Sequence, residues 1–217
     1  MKIANVIGAT GLVGSNLVQQ LLKDTRFEKV NVFVRHSTGI KNNKLQEHIV
    51  NFDEPDKWKK LLAGDVLYSA MGTTLKEAGS KDAQYKIDYT YQYQAAKAAA
   101  ANGVKEYVLV SAAGSSPDAK IFYSKMKGEL EQAVQKLPFE AIHIMRPGML
   151  TGERARVRTG EKIGVGVMNI ISMIPGLRQL KPIQGGEVAK AMINATFCHT
   201  SGIHIYSMGE MHQLASR

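Results

Sequence analysis

The chain is predicted to adopt a doubly wound α/β fold built on one parallel sheet, and three observations support this. Short apolar runs rich in β-branched residues alternate with helical segments over the first 150 or so residues. This alternation implies parallel strand pairing through right-handed crossovers. A glycine-rich turn joins the first apolar run directly to the first helix. The length of 217 residues, with 44% hydrophobic and 22% charged residues, suits a single globular domain.

The predicted strands are short apolar runs bounded by polar residues or glycine. They are Ile3–Ile7, Val30–Val34, Ile49–Phe52, Asp65–Ala70, Tyr107–Ser111, Ala141–Met145 and Ile203–Tyr206. The first predicted helix follows the glycine-rich turn, and the second begins at Asp53–Asp56. Three more helices are predicted over about residues 83–102, 121–136 and 186–197. Acidic residues and a proline in the first turn indicate the helix start at Asp53.

The last third of the chain, about residues 151–217, has a weaker pattern. It is expected to form a small, irregular part of the same domain that caps the side of the sheet where a substrate would bind. Its apolar segment Gly164–Ile174 would supply apolar walls for that pocket, although core packing or a subunit contact is the preferred interpretation. A monomer and a homodimer both remain open.

Composition narrows the classes of ligand. Cys198 is the single cysteine, so an internal disulfide is excluded, and the scattered histidines predict no metal site. The chain enters a strand at once and has no apolar run of membrane-spanning length, which favours the cytoplasm and no membrane association. The net charge is +9 with a pI near 9.5. The lysines are spread along the chain without a nucleic-acid-binding motif, so we expect a basic surface rather than a nucleic-acid partner.

The glycine turn, defined as residues 8–14, predicts a nucleotide site. Gly8 allows a sharp turn, Gly11 allows a pyrophosphate to approach the backbone, and Gly14 allows close packing of helix on strand. The N–H groups at the start of the helix suit a phosphate. Three further residues of the turn are expected to contact the cofactor: Thr10, Leu12 and Val13.

Residues at the carboxyl ends of the next strands extend this site, because ligands of such sheets bind there. Arg35 follows the second strand, where a guanidinium would bind a 2′-phosphate and favour NADP over NAD. Asp53 is expected to accept a hydrogen bond from the adenine amino group, to cap the following helix, or both. Gly72 leaves room for a cofactor after the fourth strand, next to Ala70 and Met71.

A serine, a tyrosine and a lysine supply the candidate chemistry. Tyr123 and Lys127 are four residues apart on a predicted helix and so share one face. A phenol ordinarily has a pKa near 10, and a nearby ammonium lowers that pKa toward the range needed for proton transfer. Ser111, at the end of the fifth strand, could hold a substrate oxygen beside the phenol.

These residues together resemble the short-chain dehydrogenase/reductases, and the spacing of the three glycines resembles their extended and atypical members. The resemblance to the atypical, Tat-interacting-protein-like branch covers about residues 1–200. It rests on four further stretches: Ala70–Thr74, Ile87–Tyr89, Lys127–Glu131 and Met145–Leu150.

The resemblance implies a Rossmann domain, an NADP(H) cofactor and oxidoreductase activity. Tyr123 would exchange the proton, Lys127 would hold the nicotinamide ribose, and Ser111 would position a substrate carbonyl. The remaining implied cofactor contacts are Pro147, Leu150 and Arg158. The family's helix asparagine, which completes a proton relay, is replaced here by Asp88 or Tyr89.

Two other functions stay open. A dinucleotide-binding regulatory protein with little or no turnover is the main alternative. A sugar-nucleotide epimerase or dehydratase is disfavoured because about 70 residues after the sixth strand leave little room for its substrate subdomain.

Overall fold

A computed structural model of the chain describes residues 1–152, 182–198 and 200–217. Within these ranges the first seven strands to be numbered lie between the N-terminus and residue 151. They are β1 (Lys2–Ile7), β2 (Phe27–Val34), β3 (Leu45–Ile49), β4 (Val66–Ser69), β5 (Glu106–Val110), β6 (Ala141–Met145) and β7 (Leu150–Thr151). Two more strands follow, β8 (Ile183–Gln184) and β9 (Gly202–Tyr206).

The main sheet has seven strands in the order β3-β2-β1-β4-β5-β6-β9, and every pair is parallel. The order reverses beside β1, so the carboxyl ends of β1 and β4 flank a crevice where a ligand can enter. This is the Rossmann arrangement, and the predicted fold class is confirmed. β7 and β8 form a separate two-stranded parallel sheet.

The helices cover both faces of the main sheet. The described α-helices are α1 (Leu12–Lys23), α2 (Leu75–Ala78), α3 (Lys81–Tyr85), α4 (Tyr91–Ala101), α5 (Phe122–Val134), α6 (Gly185–Ala195) and α7 (Met208–Ala215). One core joins α1, α6 and α7 to the sheet, and the other joins α4 and α5 to its opposite face. The alternation of buried side chains along β1 places Val6 in the first core and Ile7 in the second.

The third strand begins four residues earlier than predicted. The prediction placed it at Ile49–Phe52, whereas β3 spans Leu45–Ile49 and pairs with β2 at the edge of the sheet. An edge strand is only half-buried, so its alternating polar residues concealed it from a search for apolar runs. The apolar residue that ended the predicted strand, Phe52, instead packs in the core against Trp58 with ring centroids 5.4 Å apart.

The predicted helix starting at Asp53 is also wrong. The segment forms two short 3₁₀ turns, Pro55–Lys57 and Lys59–Leu61, and neither has a side-chain cap. Asn51 turns the chain, because its side chain accepts a hydrogen bond from the N–H of Asp53 at 3.0 Å.

The long helix predicted for residues 83–102 contains a change of period. α3 passes without a break into a π-helical turn, Lys86–Thr90, and then into α4. Such turns insert one extra residue into the helix and are frequent at functional sites. Here the π-turn buries Asp88 completely.

Most of the described part of the last third packs with the Rossmann core. β9 extends the main sheet beside β6, and α6 packs on α1. This differs from the expectation that residues 151–217 form a substrate-side cap, because an additional β-α pair buries its apolar faces best by extending the existing layers. The segment Gly164–Ile174, for which a core or interfacial role was expected, lies outside the described residues.

Candidate cofactor and active site

The glycine turn packs against the end of β4 more closely than any side chain would permit. Gly8 has φ of +79°, and a Cβ there would lie 2.4 Å from the backbone carbon of Ala70. A Cβ on Gly14 would lie 2.0 Å from the carbonyl oxygen of Gly8. Real carbon atoms do not approach this closely, so both positions require glycine.

The turn delivers the N-terminus of α1 to the crevice. The N–H of Gly11 donates to the carbonyl of Gly8 at 3.0 Å, and α1 begins at the next residue. The first N–H groups of a helix have no partner within that helix, and Gly11 has no side chain with which to cap them. These amides, together with the positive end of the helix dipole, suit a phosphate.

The predicted contacts around the turn differ in exposure. Thr10 is exposed, whereas Leu12 and Val13 are buried and hold α1 on the sheet. Leu12 lies under Gly152 and Gly185, so it links the glycine turn to the start of α6. The backbone of Leu12 and Val13, rather than their side chains, is therefore what the turn offers to a ligand.

The segment after β4 forms the other wall of the crevice. Ala70 and Met71 are half-buried, and Gly72 is exposed. A Cβ on Gly72 would lie 3.3 Å from Oδ1 of Asp88, so this glycine keeps the segment close to the π-turn. The N–H of Thr73 donates to Oδ2 of Asp88 at 2.8 Å, which fixes the segment to the helix.

Arg35 lies at the carboxyl end of β2 with its side chain exposed. Glu47 of β3 holds the loop that follows Arg35. It accepts hydrogen bonds from Ser37 Oγ at 2.6 Å and from the N–H of Thr38 at 2.8 Å. Burial raises the pKa of Glu47, but these hydrogen bonds outweigh it and hold the pKa below its ordinary value. Glu47 is therefore occupied by the loop, while the guanidinium of Arg35 faces solvent.

Asp53 does not cap a helix, and its carboxylate instead contacts the π-turn and the start of α4. Its Oδ1 lies 2.6 Å from Lys86 Nζ and accepts a hydrogen bond from the Tyr91 hydroxyl at 2.7 Å. These bonds, with that from Lys86 the strongest, hold the pKa of Asp53 below its ordinary value. The predicted helix-capping role is wrong, and the contact with adenine stays a prediction.

Tyr123 and Lys127 share one face of α5, as their spacing predicted. The Nζ atom of Lys127 lies 5.9 Å from the centroid of the Tyr123 ring. Tyr123 is 39% exposed, whereas Lys127 is only 2% exposed. A ligand at the carboxyl edge of the sheet can therefore reach the phenol, while the ammonium stays behind it.

Lys127 has a buried partner on the π-turn. Its Nζ lies 3.1 Å from Oδ1 of Asp88, and both side chains are at least 97% buried. The approach has the distance of an ion pair but not the angle of a hydrogen bond, and Oδ1 has no hydrogen-bond partner among the described residues. Of the two positions that could replace the family's asparagine, Asp88 is the one that faces the lysine.

The hydroxyl of Ser111 lies in a buried polar cluster. Its hydroxyl donates to Oε1 of Glu131 and lies 3.1 Å from the hydroxyl of Ser115. Arg146 closes the cluster, with Nε 3.0 Å from Oε1 of Glu131 and Nη2 2.5 Å from Oε2. The hydrogen bonds to Glu131 raise the pKa of Arg146 above its ordinary value. The expected role of Ser111 therefore requires its hydroxyl to turn away from Glu131.

Gly128 positions the loop between β5 and α5. A Cβ on Gly128 would lie 2.1 Å from the carbonyl carbon of Ser116, so the loop packs directly on the helix backbone. The N–H of Ser116 also donates to the carbonyl of Ser124 at 3.2 Å. Sequence reasoning did not assign roles to Gly128, Glu131 or Arg146. The i, i+4 spacing of Lys127 and Glu131 was the available signal, because it places Glu131 on the face that carries Lys127.

The segment after β6 completes the edge. The N–H of Ala113 donates to the carbonyl of Pro147 at 2.8 Å, which holds the ends of β5 and β6 together. Leu150 is half-buried at the start of β7. Arg158 lies outside the described residues, so its predicted phosphate contact stays a prediction.

No group of three or more His, Cys, Asp and Glu side chains within residues 1–152, 182–198 and 200–217 could hold a metal ion. The helices within the same ranges are too short or too polar to cross a membrane.

A Rossmann sheet with a crowded glycine turn at its crevice defines the class of dinucleotide-binding proteins. The model of a family described as NAD(P)H-binding matches residues 8–169, and the chain belongs to that family. Protein FMP52-1, mitochondrial, of Scheffersomyces stipitis is 36% identical over 198 residues, which is 88% of this chain and 87% of that protein. Protein FMP52, mitochondrial, of Saccharomyces cerevisiae is 35% identical over 210 residues, or 91% and 88% of the two chains.

Solved structures share the fold at low identity. The Bordetella bronchiseptica enzyme WbmH in complex with NAD+ has a TM-score of 0.71 at 16% identity, over 100% of this chain and 80% of that chain. The oxidoreductase ylbE from Lactococcus lactis has a TM-score of 0.69 at 18% identity, over 99% and 95%. The resemblance to atypical short-chain dehydrogenase/reductases is confirmed by these matches together with the family.

The names of the relatives bear on where the protein resides. The sequence favoured a cytoplasmic location because the chain enters a strand at once. The fungal relatives are named as mitochondrial proteins, so the cytoplasmic prediction is wrong.

Proposed function

We propose that the protein is an NADP(H)-dependent oxidoreductase that interconverts a carbonyl compound and its alcohol. The observation that carries this proposal is the Tyr123–Lys127 pair on α5, with the phenol exposed and the ammonium behind it. The pair follows β5, whose carboxyl end lies on the same edge of the sheet as the glycine turn. A reactive group at this edge can meet one end of a dinucleotide whose pyrophosphate is held at the other.

Several groups of this chain fit the cofactor. The uncapped N-terminus of α1 would hold the pyrophosphate, and Gly72 would leave space beside it. Arg35 would bind a 2′-phosphate, which is the basis for proposing NADP rather than NAD. The nicotinamide, when bound, supplies or accepts the hydride, and the protein positions it and excludes water.

The proton is assigned to Tyr123. In the direction of reduction, the phenol would give its proton to the carbonyl oxygen as the carbonyl carbon is reduced. Its 39% exposure allows direct contact with a substrate oxygen. The substrate is proposed to be a small carbonyl compound with apolar surroundings, because Ile121 and Met149 are exposed beside the same edge.

A Tyr123→Phe variant tests the proposal. It is expected to bind NADPH as the wild type does, measured by fluorescence titration, and to lose at least about a hundredfold in kcat on any carbonyl compound that the wild type reduces. Tyr93→Phe is the matched control, since Tyr93 is a half-buried tyrosine on α4. A wild type that binds no NADPH, or a Tyr123→Phe variant with full activity, would contradict the proposal.

A second candidate is a dinucleotide-binding regulatory protein with little or no turnover. The buried Ser111 cluster favours it, because the serine proton is already donated to Glu131 and is not free for a carbonyl. A wild type that binds NADPH tightly but reduces nothing in a broad panel of aldehydes and ketones would support this candidate over the oxidoreductase.

A further inference from the structure

Lys127 and Asp88 form a pair of opposite charges sealed inside the protein. The ammonium is 3.1 Å from Oδ1 of Asp88, and the two side chains are 3% and 0% exposed. Charges removed from water interact strongly, because little solvent remains between them to screen the attraction. The ammonium therefore has one carboxylate near it, and its Nζ lies 5.9 Å from the centroid of the Tyr123 ring.

The backbone holds the carboxylate in place. Oδ2 of Asp88 accepts the N–H of Thr73 at 2.8 Å, and the carbonyl oxygen of Asp88 accepts Gln92 Nε2 at 2.6 Å. Gln92 in turn accepts a hydrogen bond from Ser69 at the end of β4. The carboxylate cannot swing away from Lys127 without breaking its hydrogen bond from the N–H of Thr73, and the bonds of Gln92 hold the backbone of Asp88 in place.

Three nearby glutamates on the surrounding elements have partners of their own. On α5, Glu131 pairs with Arg146 of the segment after β6, and Glu129 accepts the hydroxyl of Tyr85 at 3.1 Å. Burial, followed by Glu129, raises the pKa of Tyr85 to about 12. On the segment after β4, Glu77 caps the short helix α2. Of the charges described here, Asp88 is the one in contact with the ammonium.

We propose that Asp88 is a positioning residue that holds Lys127 and offsets its charge at Tyr123. A lone ammonium stabilises a phenolate, whereas an ammonium paired at 3.1 Å presents a nearly neutral pair to the ring. The pair then exerts little pull on the phenol proton, which Tyr123 can donate to a carbonyl oxygen. This inference rests on the proposed function for its meaning, but its test needs no substrate.

The test is the ionisation of Tyr123 in the full-length protein without cofactor. The ultraviolet absorbance of phenolate is titrated with pH, and subtraction of the same titration of Tyr123→Phe isolates this tyrosine from the other seven. In Asp88→Asn the carboxamide keeps an acceptor for Thr73 but loses the charge. Tyr123 is expected to ionise about one pH unit or more below the wild type, because the ammonium is then unopposed.

The matched control is Asp82→Asn, which removes an exposed carboxylate from the preceding helical turns. It is expected to leave the titration where it is in the wild type, since solvent screens a surface charge. An Asp88→Asn titration that coincides with the wild type, or a shift of equal size in Asp82→Asn, would overturn the proposal.

A double variant keeps the proposal testable if Asp88→Asn does not fold. Asp88→Leu/Lys127→Met removes both buried charges, and apolar replacement of a buried ion pair is usually tolerated. If the two charges offset each other in the wild type, Tyr123 in the double variant ionises close to the wild-type pH. A rise of about one pH unit would show that Lys127 acts unopposed, and the charge-offset proposal would be wrong.

Activity gives the last comparison. For an active wild type, Asp88→Asn is expected to lower by about one pH unit the pH at which the rate of carbonyl reduction falls as the phenol loses its proton. An inactive wild type with the expected shift would instead contradict the oxidoreductase and leave the Asp88 proposal standing.

Discussion

At the scale of single residues, Gly8 carries two separate constraints. Its φ of +79° disfavours any side chain, and the backbone of Ala70 fills the space that a Cβ would need. Gly39 has a similar φ of +73° but nothing within 4 Å of its Cβ position. The two glycines therefore separate the conformational cost from the steric cost.

We expect Gly8→Ala to lower the free energy of unfolding by roughly 2–5 kcal/mol, the sum of left-handed strain and overpacking. Gly39→Ala should cost only about 1–2 kcal/mol, because strain alone applies. Urea unfolding measures both, and NADPH titration should show a loss of affinity for Gly8→Ala alone. Equal destabilisation by the two variants would refute the steric argument.

Arg35 is the residue on which the preference for NADP depends. Arg35→Asp should weaken NADP(H) binding by about ten- to a hundredfold, the size of a charge-assisted contact with a phosphate, and should spare NAD(H). Lys41→Asp makes the same charge change at another exposed site of the following loop and serves as control. If the two variants weaken NADP(H) binding equally, general electrostatics rather than Arg35 explains the preference.

At the scale of elements, α5 and the β5–α5 loop are held in contact by Gly128. A Cβ at this position would lie 2.1 Å from the backbone of Ser116. Any residue other than glycine would therefore force the helix and the loop apart. Gly209, near the start of α7, also lies in a helix but has nothing within 4 Å.

Gly128→Ala is expected to destabilise the protein by roughly 1–3 kcal/mol through overpacking, although alanine is the better helix former. Gly209→Ala should instead be neutral or stabilising by up to about 1 kcal/mol. Thermal or urea unfolding distinguishes the two. Stabilisation of both variants would mean that the loop yields easily and does not depend on Gly128.

The π-turn shows how an element can conceal its most important residue. Alanine and tyrosine periodicity correctly predicts one long helix near residues 83–102. A regular α-helical period does not reveal that the turn at Lys86–Thr90 is wider, or that Asp88 points into the protein. The inward orientation of the Asp88 side chain depends on Lys127 and Thr73, which are distant in sequence and become neighbours only after folding.

At the scale of the whole molecule, the buried side chain of His143 makes the stability of the protein depend on pH. It lies on β6, is 1% exposed, and its Nδ1 is 3.0 Å from the hydroxyl of Tyr206 on β9. Burial, and next the neighbouring His204, lower the pKa of His143 to about 4. An unfolded histidine has a pKa near 6.5, so between these values the unfolded chain binds the extra proton.

The stability contributed by neutral His143 is therefore complete above about pH 6.5 and is lost as the pH falls toward 4. The linked loss is on the order of 3 kcal/mol. His143→Phe should flatten this acid limb in urea unfolding measured from pH 7 to pH 4. His36→Phe changes an exposed histidine and should leave the limb unchanged. If the acid limb persists in His143→Phe, groups other than His143 cause it.

The sequence by itself determined the class of fold and predicted most residues of the candidate site. Buried parallel strands are continuous apolar runs, and the three glycines and the Tyr123–Lys127 spacing are local patterns, so each is legible without knowledge of distant residues. The edge strand β3 was displaced in the prediction because its half-buried face breaks the apolar run.

Only the tertiary structure decided which polar groups meet. Ser111 joins Glu131 and Arg146, Asp53 joins Lys86 and Tyr91, and Asp88 joins Lys127. A buried charge must find a partner wherever the packing brings one near, and the lowest free energy selects that partner across the whole fold rather than along the chain. The glycine turn could therefore be recognised from its own residues, whereas the charge beside Tyr123 could not.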